Sequence, residues 1–329
     1  MRYALAVDGG GSKTDAVVID ETGTVVGWGR GGSLHHYYTT REAIQEALQT
    51  CLSQALGNIQ GGEFWVSGLH HGGHTQELIE RHGRVMGHAP AGEVNMAFAA
   101  VQREWGMVVL SGTGSFVFGL TPDGRARHFG GMGPILGDYG SAYAVGLYGL
   151  RAAFASRWTE ARRTSLEKAI PAAYGLPDLK SLFERVYGQG LSRREIAAAA
   201  RIVDAEAEAG DKVARNCLLG AADELAALAF DVINELKLHD EQFPVIGVGS
   251  VAQKSRLWWE RLCARIHELA PAAEPLLPRV KPVVGGALLA LKEMGVQWTP
   301  ELLDRIVSTQ EPHLRAADEQ ESQTAQGPG

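Results

Sequence analysis

The chain carries one short pattern twice, and this repetition constrains the fold more than any other feature of the sequence. The stretch "YALAVDGGGSKTDAVVIDETG" reads as a strand, a loop of small residues, a second strand and a turn, and "GMVVLSGTGSFVFGLTPDG" follows the same order. Asp8 then corresponds to Ser111, and Gly23 to Gly124. Two units that each open with a β-hairpin around a glycine-rich loop predict a duplicated α/β fold. A ligand is expected between the copies, because domain interfaces favour small-ligand sites.

Length and helix signals agree with two α/β domains. A chain of 329 residues exceeds the size at which one core stops growing, about 250–300 residues. In "TTREAIQEALQTCLSQALG" the apolar residues recur every three or four positions, and Thr39 with Glu42 is placed as a capping box. A second capping box, Ser192 with Glu195, opens a helix expected over about 193–209. The apolar stripe of the first helix consists of Ile44, Ala47, Leu48, Cys51, Leu52, Ala55 and Leu56.

The loop "DGGGSKT" follows the first strand and predicts phosphate binding. Three glycines let the backbone approach a ligand closely and present N–H groups to phosphate oxygens. Ser12 and Thr14 add hydroxyl donors and Lys13 a positive charge, while Asp8 at the strand end is placed to hold the water shell of Mg²⁺. A plain tight turn is the alternative, but it requires neither three glycines nor a flanking Asp and Lys. The Walker A pattern is absent from the sequence.

Two further glycine-containing turns follow strands later in the chain. "SGTGS", which begins at Ser111, offers hydroxyls and amides as the first loop does. "PVIGVGSVAQKS" contains a G-x-G-x-x-A pattern at Gly247, Gly249 and Ala252, which also occurs in dinucleotide-binding proteins. The acid that would bind the ribose is Glu268, but it falls inside a helical pattern. A turn passing close to the adenosine of a nucleotide is therefore the better interpretation.

Charge and cysteine content narrow the partners and the compartment. The formal net charge is −7 and basic runs are absent from the sequence, which argues against nucleic-acid partners. No apolar stretch has the roughly 18 residues of a membrane span, and the N-terminus lacks a signal-peptide pattern. Cys51, Cys217 and Cys263 are far apart, so we expect reduced thiols in a cytoplasmic protein.

Five of the eleven histidines lie in two loops that each follow a predicted strand. Three interpretations remain open: exposed loop residues, residues that line the ligand cleft, or a zinc site formed by "HHGGH". The zinc site is disfavoured because a glycine-rich loop lacks helical i, i+4 spacing. A pKa near about 6.5 would suit a histidine to general-base catalysis. The five are His35, His36, His70, His71 and His74.

Five motifs, taken in order, resemble those of the BadF/BadG/BcrA/BcrD-type ATPase family, which includes N-acetylglucosamine kinase and belongs to the actin/hexokinase/Hsp70 superfamily. They are "DGGGSKT", "SGTGS", "GGMGPILGDYGSAY", "VIGVGS" and "VVGGALLAL", and the resemblance covers about residues 2–294. It implies two RNase H-like (actin-like ATPase) domains with mixed sheets flanked by helices and a cleft that holds ATP and Mg²⁺. The implied domains are 1–110 with about 285–310, and 111–284. From Glu311 the chain is polar, so 311–329 is predicted to be a disordered tail.

The resemblance also implies roles for single residues. Asp8 is similar to the Mg²⁺-associated aspartate of the family, acting through water. Asp138 matches an aspartate that reaches sugar hydroxyls, with Tyr139 in place of the glutamate that follows it, and Asn95 matches the asparagine of an "NDA" motif. The implied nucleotide contacts are Gly10, Gly11, Ser12, Lys13 and Thr14 in the first phosphate loop, Ser111, Gly112, Thr113 and Gly114 in the second, and Gly247, Gly249 and Ser250 beside the adenosine.

Two departures from the family pattern bear on catalysis. His35 stands where a sugar-binding asparagine is expected, which makes it a substrate-binding candidate. Met96 stands where the kinases have the aspartate that deprotonates the sugar hydroxyl, and a thioether cannot accept a proton at neutral pH. Three interpretations follow: a slow or inactive kinase that still binds nucleotide, an ATPase that acts on a partner, or a kinase in which another residue is the base. The candidates for that base are His35, His36, His70 and His71.

The resulting prediction is an ATP-dependent kinase for a hexose or an amino sugar of the N-acetylglucosamine type, with weak or altered activity because Met96 replaces the base. The alternative is a nucleotide-dependent regulatory ATPase, or a non-catalytic ATP-binding protein, that acts on a partner. ATP and Mg²⁺ are the expected cofactors. A homodimer is expected because homodimers are common in the family.

Overall fold

The computed structural model describes residues 1–10, 13–34, 39–68 and 73–324. The strands are β1 (Arg2–Gly9), β2 (Thr14–Asp20), β3 (Val25–Gly31), β4 (Glu63–Ser67), β5 (Arg84–His88), β6 (Gly106–Ser111), β7 (Ser115–Leu120), β8 (Ala126–Gly130), β9 (Pro244–Val248) and β10 (Glu274–Leu276). The helices are α1 (Arg41–Leu56), α2 (Gly73–Glu80), α3 (Glu93–Ala100), α4 (Gly133–Leu136), α5 (Ala142–Ala155), α6 (Leu166–Ala173), α7 (Leu179–Gly188), α8 (Arg193–Ala198), α9 (Ala200–Glu208), α10 (Lys212–Leu236), α11 (Ser250–Lys254), α12 (Arg256–Leu269), α13 (Pro282–Glu293) and α14 (Pro300–Thr324).

The chain divides into two compact units. Unit 1 consists of Met1–Glu104 with Pro278–Gly329, and unit 2 of Trp105–Leu277. The boundary expected at residue 110 lies inside β6, which pairs along its whole length with β7 of unit 2. The division therefore falls before β6, because cutting that strand would break a continuous antiparallel ladder.

In unit 1 a five-stranded mixed sheet has the order β3-β2-β1-β4-β5. β1 runs antiparallel to β2 and parallel to β4, so it is the central strand. Its side chains alternate between two faces, as they must in a strand. Leu5 and Val7 pack on the side of α1, whereas Ala4 and Ala6 pack on the side of α13.

Unit 2 repeats this sheet with the order β8-β7-β6-β9-β10. β6 is again central, antiparallel to β7 and parallel to β9. The duplicated α/β fold expected from two short hairpins is thus confirmed, and it extends over all five strands of each sheet. The core of unit 2 surrounds α10, whose apolar face includes Leu218, Leu225 and Val232.

The helix signals were confirmed with two corrections. The helix expected over about 193–209 is divided into α8 and α9, which meet at Ala199. All seven apolar-stripe residues of α1 are buried. Its N-cap is Thr40, whose hydroxyl accepts a hydrogen bond from the Ala43 amide. The capping box expected from Thr39 and Glu42 was therefore wrong, because the residue three positions after the cap is an alanine without a side-chain acceptor. The second capping box is present as expected: Ser192 Oγ accepts from the Glu195 amide, and Glu195 Oε2 accepts from the Ser192 amide.

The prediction of a disordered tail was wrong for residues 311–324, which continue helix α14. Polar composition suggested disorder, but the helix is held by a few contacts to unit 1. Leu314 and Ala317 join the core on the α13 side of the sheet. Thr309 Oγ1 accepts a hydrogen bond of 3.0 Å from the Val25 amide at the start of β3. Residues 325–329 lie outside the described residues.

Hydropathy was also compared with the demands of a bilayer. Among the helices in the described part of the chain, none combines the length and the apolar character that crossing a membrane requires.

Candidate functional site

The first glycine-rich loop joins β1 to β2. The Gly10 amide donates to the Lys13 carbonyl over 2.9 Å, which closes the turn. Thr14 is fully buried and its hydroxyl donates to the Gly32 carbonyl over 2.6 Å, so this hydroxyl holds the hairpin together. Lys13 remains partly exposed, with Nζ 3.9 Å from Asp15. Two predicted contacts, Gly11 and Ser12, lie outside the described residues.

Asp8 lies near the end of β1, directly before this loop. Its carboxylate makes no hydrogen bond or ion pair with any other described residue. The pKa of Asp8 is raised to about 6, first by burial and then by the negative charge of Asp15, and Lys13 offsets part of the rise. A carboxylate without a partner among the described residues could bind a hydrated cation, and the role of Asp8 with Mg²⁺ stays a prediction.

Met96 lies within α3 and is buried, with 2% of its surface exposed. A Cβ added to Gly68, just after β4, would come within 3.0 Å of Met96 Cε. A Cβ on Gly286 of α13 would come within 3.1 Å of the same atom, and one on Gly285 within 1.9 Å of the Met96 carbonyl oxygen. The thioether therefore fills a closed space between β4 and α13, and the glycines of "VVGGALLAL" let α13 approach α3.

Glu93 begins α3, one helical turn before Met96, and it was not among the predicted site residues. It makes no hydrogen bond or ion pair with another described residue. Although solvent reaches much of its side chain, burial raises the pKa of its carboxyl to about 7, and the negative charge of Asp8 adds to the rise. The two carboxylates are thus electrostatic neighbours. The sequence signal that could have identified Glu93 is its three-residue spacing from Met96, since residues i and i+3 share a helix face.

The second glycine-rich loop joins β6 to β7, and its two serine hydroxyls are occupied. Ser111 Oγ donates to the Gly140 carbonyl over 2.8 Å, and Ser115 Oγ donates to the Tyr139 carbonyl over 2.5 Å. These bonds attach the loop to the "GDYGS" segment. Thr113 is half-buried, and its hydroxyl has no partner among the described residues. Thr113 is therefore the hydroxyl of this loop that is free to bind a ligand.

Asp138 packs beneath this loop as half of an ion pair. It is 6% exposed, and Oδ2 lies 2.6 Å from Nη2 of Arg193 at the start of α8. A Cβ on Gly114 would come within 2.6 Å of that Nη2 and 3.0 Å of Asp138 Oδ1. Asp138 was expected to reach a sugar, but here its carboxylate is paired with a guanidinium that the sequence reasoning missed. Arg193 follows the capping-box serine, a position considered only for its helix signal.

The "GVGS" turn meets the second loop through its backbone. Gly249 has a φ of +90°, and a Cβ there would lie 2.4 Å from the Ser111 carbonyl oxygen. Gly247 has a different reason to be glycine, because a Cβ would lie 2.6 Å from the ring of Trp259. Ser250 is exposed at the start of α11. Glu268 lies within α12, so the acid required for a dinucleotide site is not at a strand end.

The remaining predicted residues are Asn95 and the five histidines of the two loops. Asn95 is exposed, and its amide donates to the Ala91 carbonyl over 2.9 Å. Within 1–10, 13–34, 39–68 and 73–324, no cluster of three or more His, Cys, Asp or Glu residues is arranged to hold a metal ion. The candidate bases His35, His36, His70 and His71 lie outside the described residues. Of the "HHGGH" histidines only His74 is in the described part of the chain, within α2.

Comparison with known proteins identifies relatives along most of the chain. The model of the BadF/BadG/BcrA/BcrD ATPase family matches residues 5–290. The N-acetylmuramic acid/N-acetylglucosamine kinase of Clostridium acetobutylicum is 25% identical over 304 residues, which cover 89% of this chain and 99% of that protein. The N-acetyl-D-glucosamine kinase of Dictyostelium discoideum is 26% identical over 310 residues, covering 87% of this chain and 97% of that protein.

Solved structures show the same fold. A candidate N-acetylglucosamine kinase from Chromobacterium violaceum matches with a TM-score of 0.63 at 22% identity, over 88% of this chain and 99% of that one. Two mixed five-stranded sheets flanked by helices, as seen here, are the actin-like ATPase fold expected from the sequence.

Proposed function

Because the chain belongs to the BadF/BadG/BcrA/BcrD ATPase family, we propose that it is an ATP-dependent kinase for a sugar of the N-acetylglucosamine type. The proposal is supported by two relatives named as kinases of N-acetylated amino sugars, each matched along nearly its whole length. Family membership alone leaves the acceptor open, so the local chemistry of each unit has to be consistent with phosphoryl transfer.

The observation that carries the proposal is the position of the two glycine-rich loops. Each follows the central strand of its sheet, β1 in unit 1 and β6 in unit 2. In unit 1 the loop adjoins Lys13 and the unpaired Asp8. In unit 2 it adjoins the free Thr113 hydroxyl and the close backbone crossing of Gly249. Phosphoryl transfer depends mainly on positioning and on charge stabilisation, which backbone amides, a lysine and a metal-binding carboxylate supply.

Asp8 fits a role with Mg²⁺. This ion prefers oxygen ligands, keeps several waters, and is usually bound by one or two carboxylates together with substrate phosphates. The carboxylate of Asp8 has no partner in the described part of the chain and carries a raised pKa, so a nearby cation would relieve the cost of its burial. When bound, Mg²⁺ would neutralise charge on the β- and γ-phosphates. The proposed nucleotide contacts remain those of the two loops and of Gly247, Gly249 and Ser250.

Met96 makes reduced or altered activity part of the proposal. General-base catalysis contributes roughly 10²–10⁴-fold, and a buried thioether cannot supply it. The same observation favours the alternative, a nucleotide-dependent regulatory ATPase or a non-catalytic ATP-binding protein that acts on a partner. A homodimer and a cytoplasmic location stay predictions.

The deciding experiment measures ATP consumption with and without a panel of hexoses and amino sugars that includes N-acetylglucosamine and N-acetylmuramic acid. The kinase proposal expects sugar-stimulated turnover and a phosphorylated sugar. Mg·ATP should also raise the melting temperature, because a ligand that binds only the folded state stabilises it. Sugar-independent ATP hydrolysis would favour the regulatory alternative, and no thermal response to millimolar Mg·ATP would contradict both.

A further inference from the structure

We propose that Glu93 is the general base of the phosphoryl transfer, in place of the aspartate that Met96 replaces. This inference rests on the proposed kinase function. It assigns the proton-accepting role to a carboxylate one helical turn before the substituted position, on the same helix.

The location of Glu93 follows from how α3 is anchored in unit 1. The Ser67 hydroxyl at the end of β4 donates to the Pro90 carbonyl over 2.8 Å, and the Ala89 amide donates to the Val66 carbonyl over 2.8 Å. These bonds hold the segment before α3 against the end of β4, which is parallel to β1. The start of α3 therefore lies at the end of the sheet where the parallel strands β1 and β4 terminate.

The position of Met96 shows which face of α3 is directed toward that end of the sheet. Its Cε lies against the position of Gly68, the first residue after β4. In a helix, residues three apart share a face, and side chains tilt toward the N-terminus. Glu93 thus extends the Met96 face by one turn, beyond the closed space that the thioether fills. The electrostatic coupling of Glu93 to Asp8 agrees with this position.

The state of the carboxyl group also suits a base. Asp15, another acid of this region, has a partner, with Oδ1 2.7 Å from Arg30 Nε. Glu93 and Asp8 have no such partner among the described residues. Glu93 is open to solvent, so a substrate hydroxyl can reach its carboxylate, and a raised pKa in such an accessible group is a feature of functional sites. Its pKa of about 7 is close to the operating pH, where general bases are most effective.

In the proposed step, a proton moves from the sugar hydroxyl to Glu93 and the γ-phosphoryl group moves from ATP to the sugar. The Glu93 carboxylate accepts the proton of the sugar hydroxyl as the hydroxyl oxygen forms a bond to the γ-phosphorus. The bond from the γ-phosphorus to the β,γ-bridging oxygen breaks, and ADP leaves with that electron pair. The protonated Glu93 then releases its proton to solvent, so that the products are ADP, the sugar phosphate and one proton.

The test compares Glu93→Gln with Glu42→Gln in the full-length protein. Glu42 is also an exposed acid in the first turn of a helix, so its replacement reproduces the loss of charge near a helix N-terminus. Glu93→Gln should lower sugar-dependent turnover by roughly 10²–10⁴-fold. It should leave the Mg·ATP-induced rise in melting temperature in place, whereas Glu42→Gln should change neither quantity.

Three outcomes would overturn the inference, and each has a different meaning. Unchanged turnover in Glu93→Gln, with an active wild-type enzyme, would exclude Glu93 as the base while the kinase proposal stands. Loss of the Mg·ATP-induced thermal rise in Glu93→Gln would place Glu93 in the metal site instead. If the wild-type enzyme phosphorylates no sugar, the proposed function itself fails, and Glu93 has no proton to accept.

Discussion

The loops after β1 and β6 occupy equivalent places in two sheets of the same strand order. In unit 1 the neighbouring carboxylates, Asp8 and Glu93, have no partner among the described residues, and burial raises the pKa of both. In unit 2 the neighbouring carboxylate, Asp138, is buried deeply but paired with Arg193 at 2.6 Å. The first loop thus lies in a unit that combines the Asp15–Arg30 ion pair with two carboxylates that have no partner in the described part of the chain, whereas the acid beside the second loop is paired.

On the proposed kinase function, the carboxylates of unit 1 are candidates for ligand binding, and the ion pair of unit 2 supports its loop. Unpaired, partly desolvated carboxylates lower the stability of a fold, so their presence in unit 1 is best explained by a ligand that uses them. A paired carboxylate under a loop fixes the loop in shape, because removing either partner leaves a buried charge. The comparison predicts that removing charge will have opposite effects on stability in the two units.

The largest expected effect is in unit 2. Arg193→Met should lower the free energy of unfolding by about 3–5 kcal/mol, because it leaves the Asp138 charge buried without its partner. Urea denaturation of the full chain measures this loss. The double variant Arg193→Met with Asp138→Asn should recover part of it, since the uncompensated charge is then gone. A single variant as stable as the wild type would show that the pair does not hold the loop.

Adding a carboxylate to the closed space around Met96 should lower the free energy of unfolding almost as much as Arg193→Met does. Met96→Asp would place a charge between Gly68 and Gly286, in a space with 2% exposure. We expect a loss of at least about 3 kcal/mol from desolvation and lost packing, and no gain in turnover. Met96→Leu, which roughly conserves volume, should cost less than about 1.5 kcal/mol. Increased sugar phosphorylation by Met96→Asp would contradict this and would restore position 96 as the site of the base.

Removing the Asp8 carboxylate at the end of β1 should instead raise the free energy of unfolding. Asp8 has its pKa raised from 3.8 to about 6, so its contribution to stability is present below pH 3.8 and is lost as pH rises through 6. Asp8→Asn should therefore raise the free energy of unfolding at pH 8, by at most about 3 kcal/mol, and should have little effect near pH 3.8. Denaturation without Mg²⁺ or nucleotide at both pH values measures the difference.

The matched control for this variant is Asp231→Asn, an exposed acid on α10. It removes the same formal charge, but it should alter stability by no more than about 0.5 kcal/mol at either pH. If Asp8→Asn lowers stability at pH 8, the unit 1 carboxylate has a stabilising partner, and the contrast between the units is lost.

Local signals predicted the parts of this molecule that depend on neighbours in sequence. The loop glycines, the apolar stripe of α1 and the Ser192 capping box are each formed within one or two elements, so their patterns are readable directly. The position of the site residues depends on distant packing. Met96 is buried because α13, almost two hundred residues later, approaches it through Gly285 and Gly286, and no local pattern around Met96 contains that information.

The same reasoning explains why Glu93 and Arg193 were missed. Arg193 follows a capping-box serine, which explains the local sequence without any functional role. Glu93 follows Gly92 at the start of α3, and neither residue belongs to a motif that indicates function. Both are singled out by interactions with residues far away in the sequence. The charge of Asp8 on β1 acts on Glu93, and Asp138 of the "GDYGS" segment forms an ion pair with Arg193. The extension of α14 beyond residue 310 was missed for a related reason, because its apolar contacts are sparse and are made with a distant part of unit 1.

The smallest expected effect tests how tightly the unit 2 pair supports its loop. In Gly114→Ala the new Cβ would meet Arg193 Nη2 at 2.6 Å and Asp138 Oδ1 at 3.0 Å, so the pair must shift. The guanidinium ends a flexible side chain, and we therefore expect a cost of only about 1–2 kcal/mol. In the Arg193→Met background this cost should fall, because the closest atom is absent, and a double-mutant cycle measures the coupling. Gly220→Ala in α10, where no atom lies within 4 Å, should instead stabilise by about 0.5–1 kcal/mol. If Gly114→Ala costs the same with and without Arg193, the loop shape in unit 2 is set by its backbone bonds alone, and the ion pair has some other role.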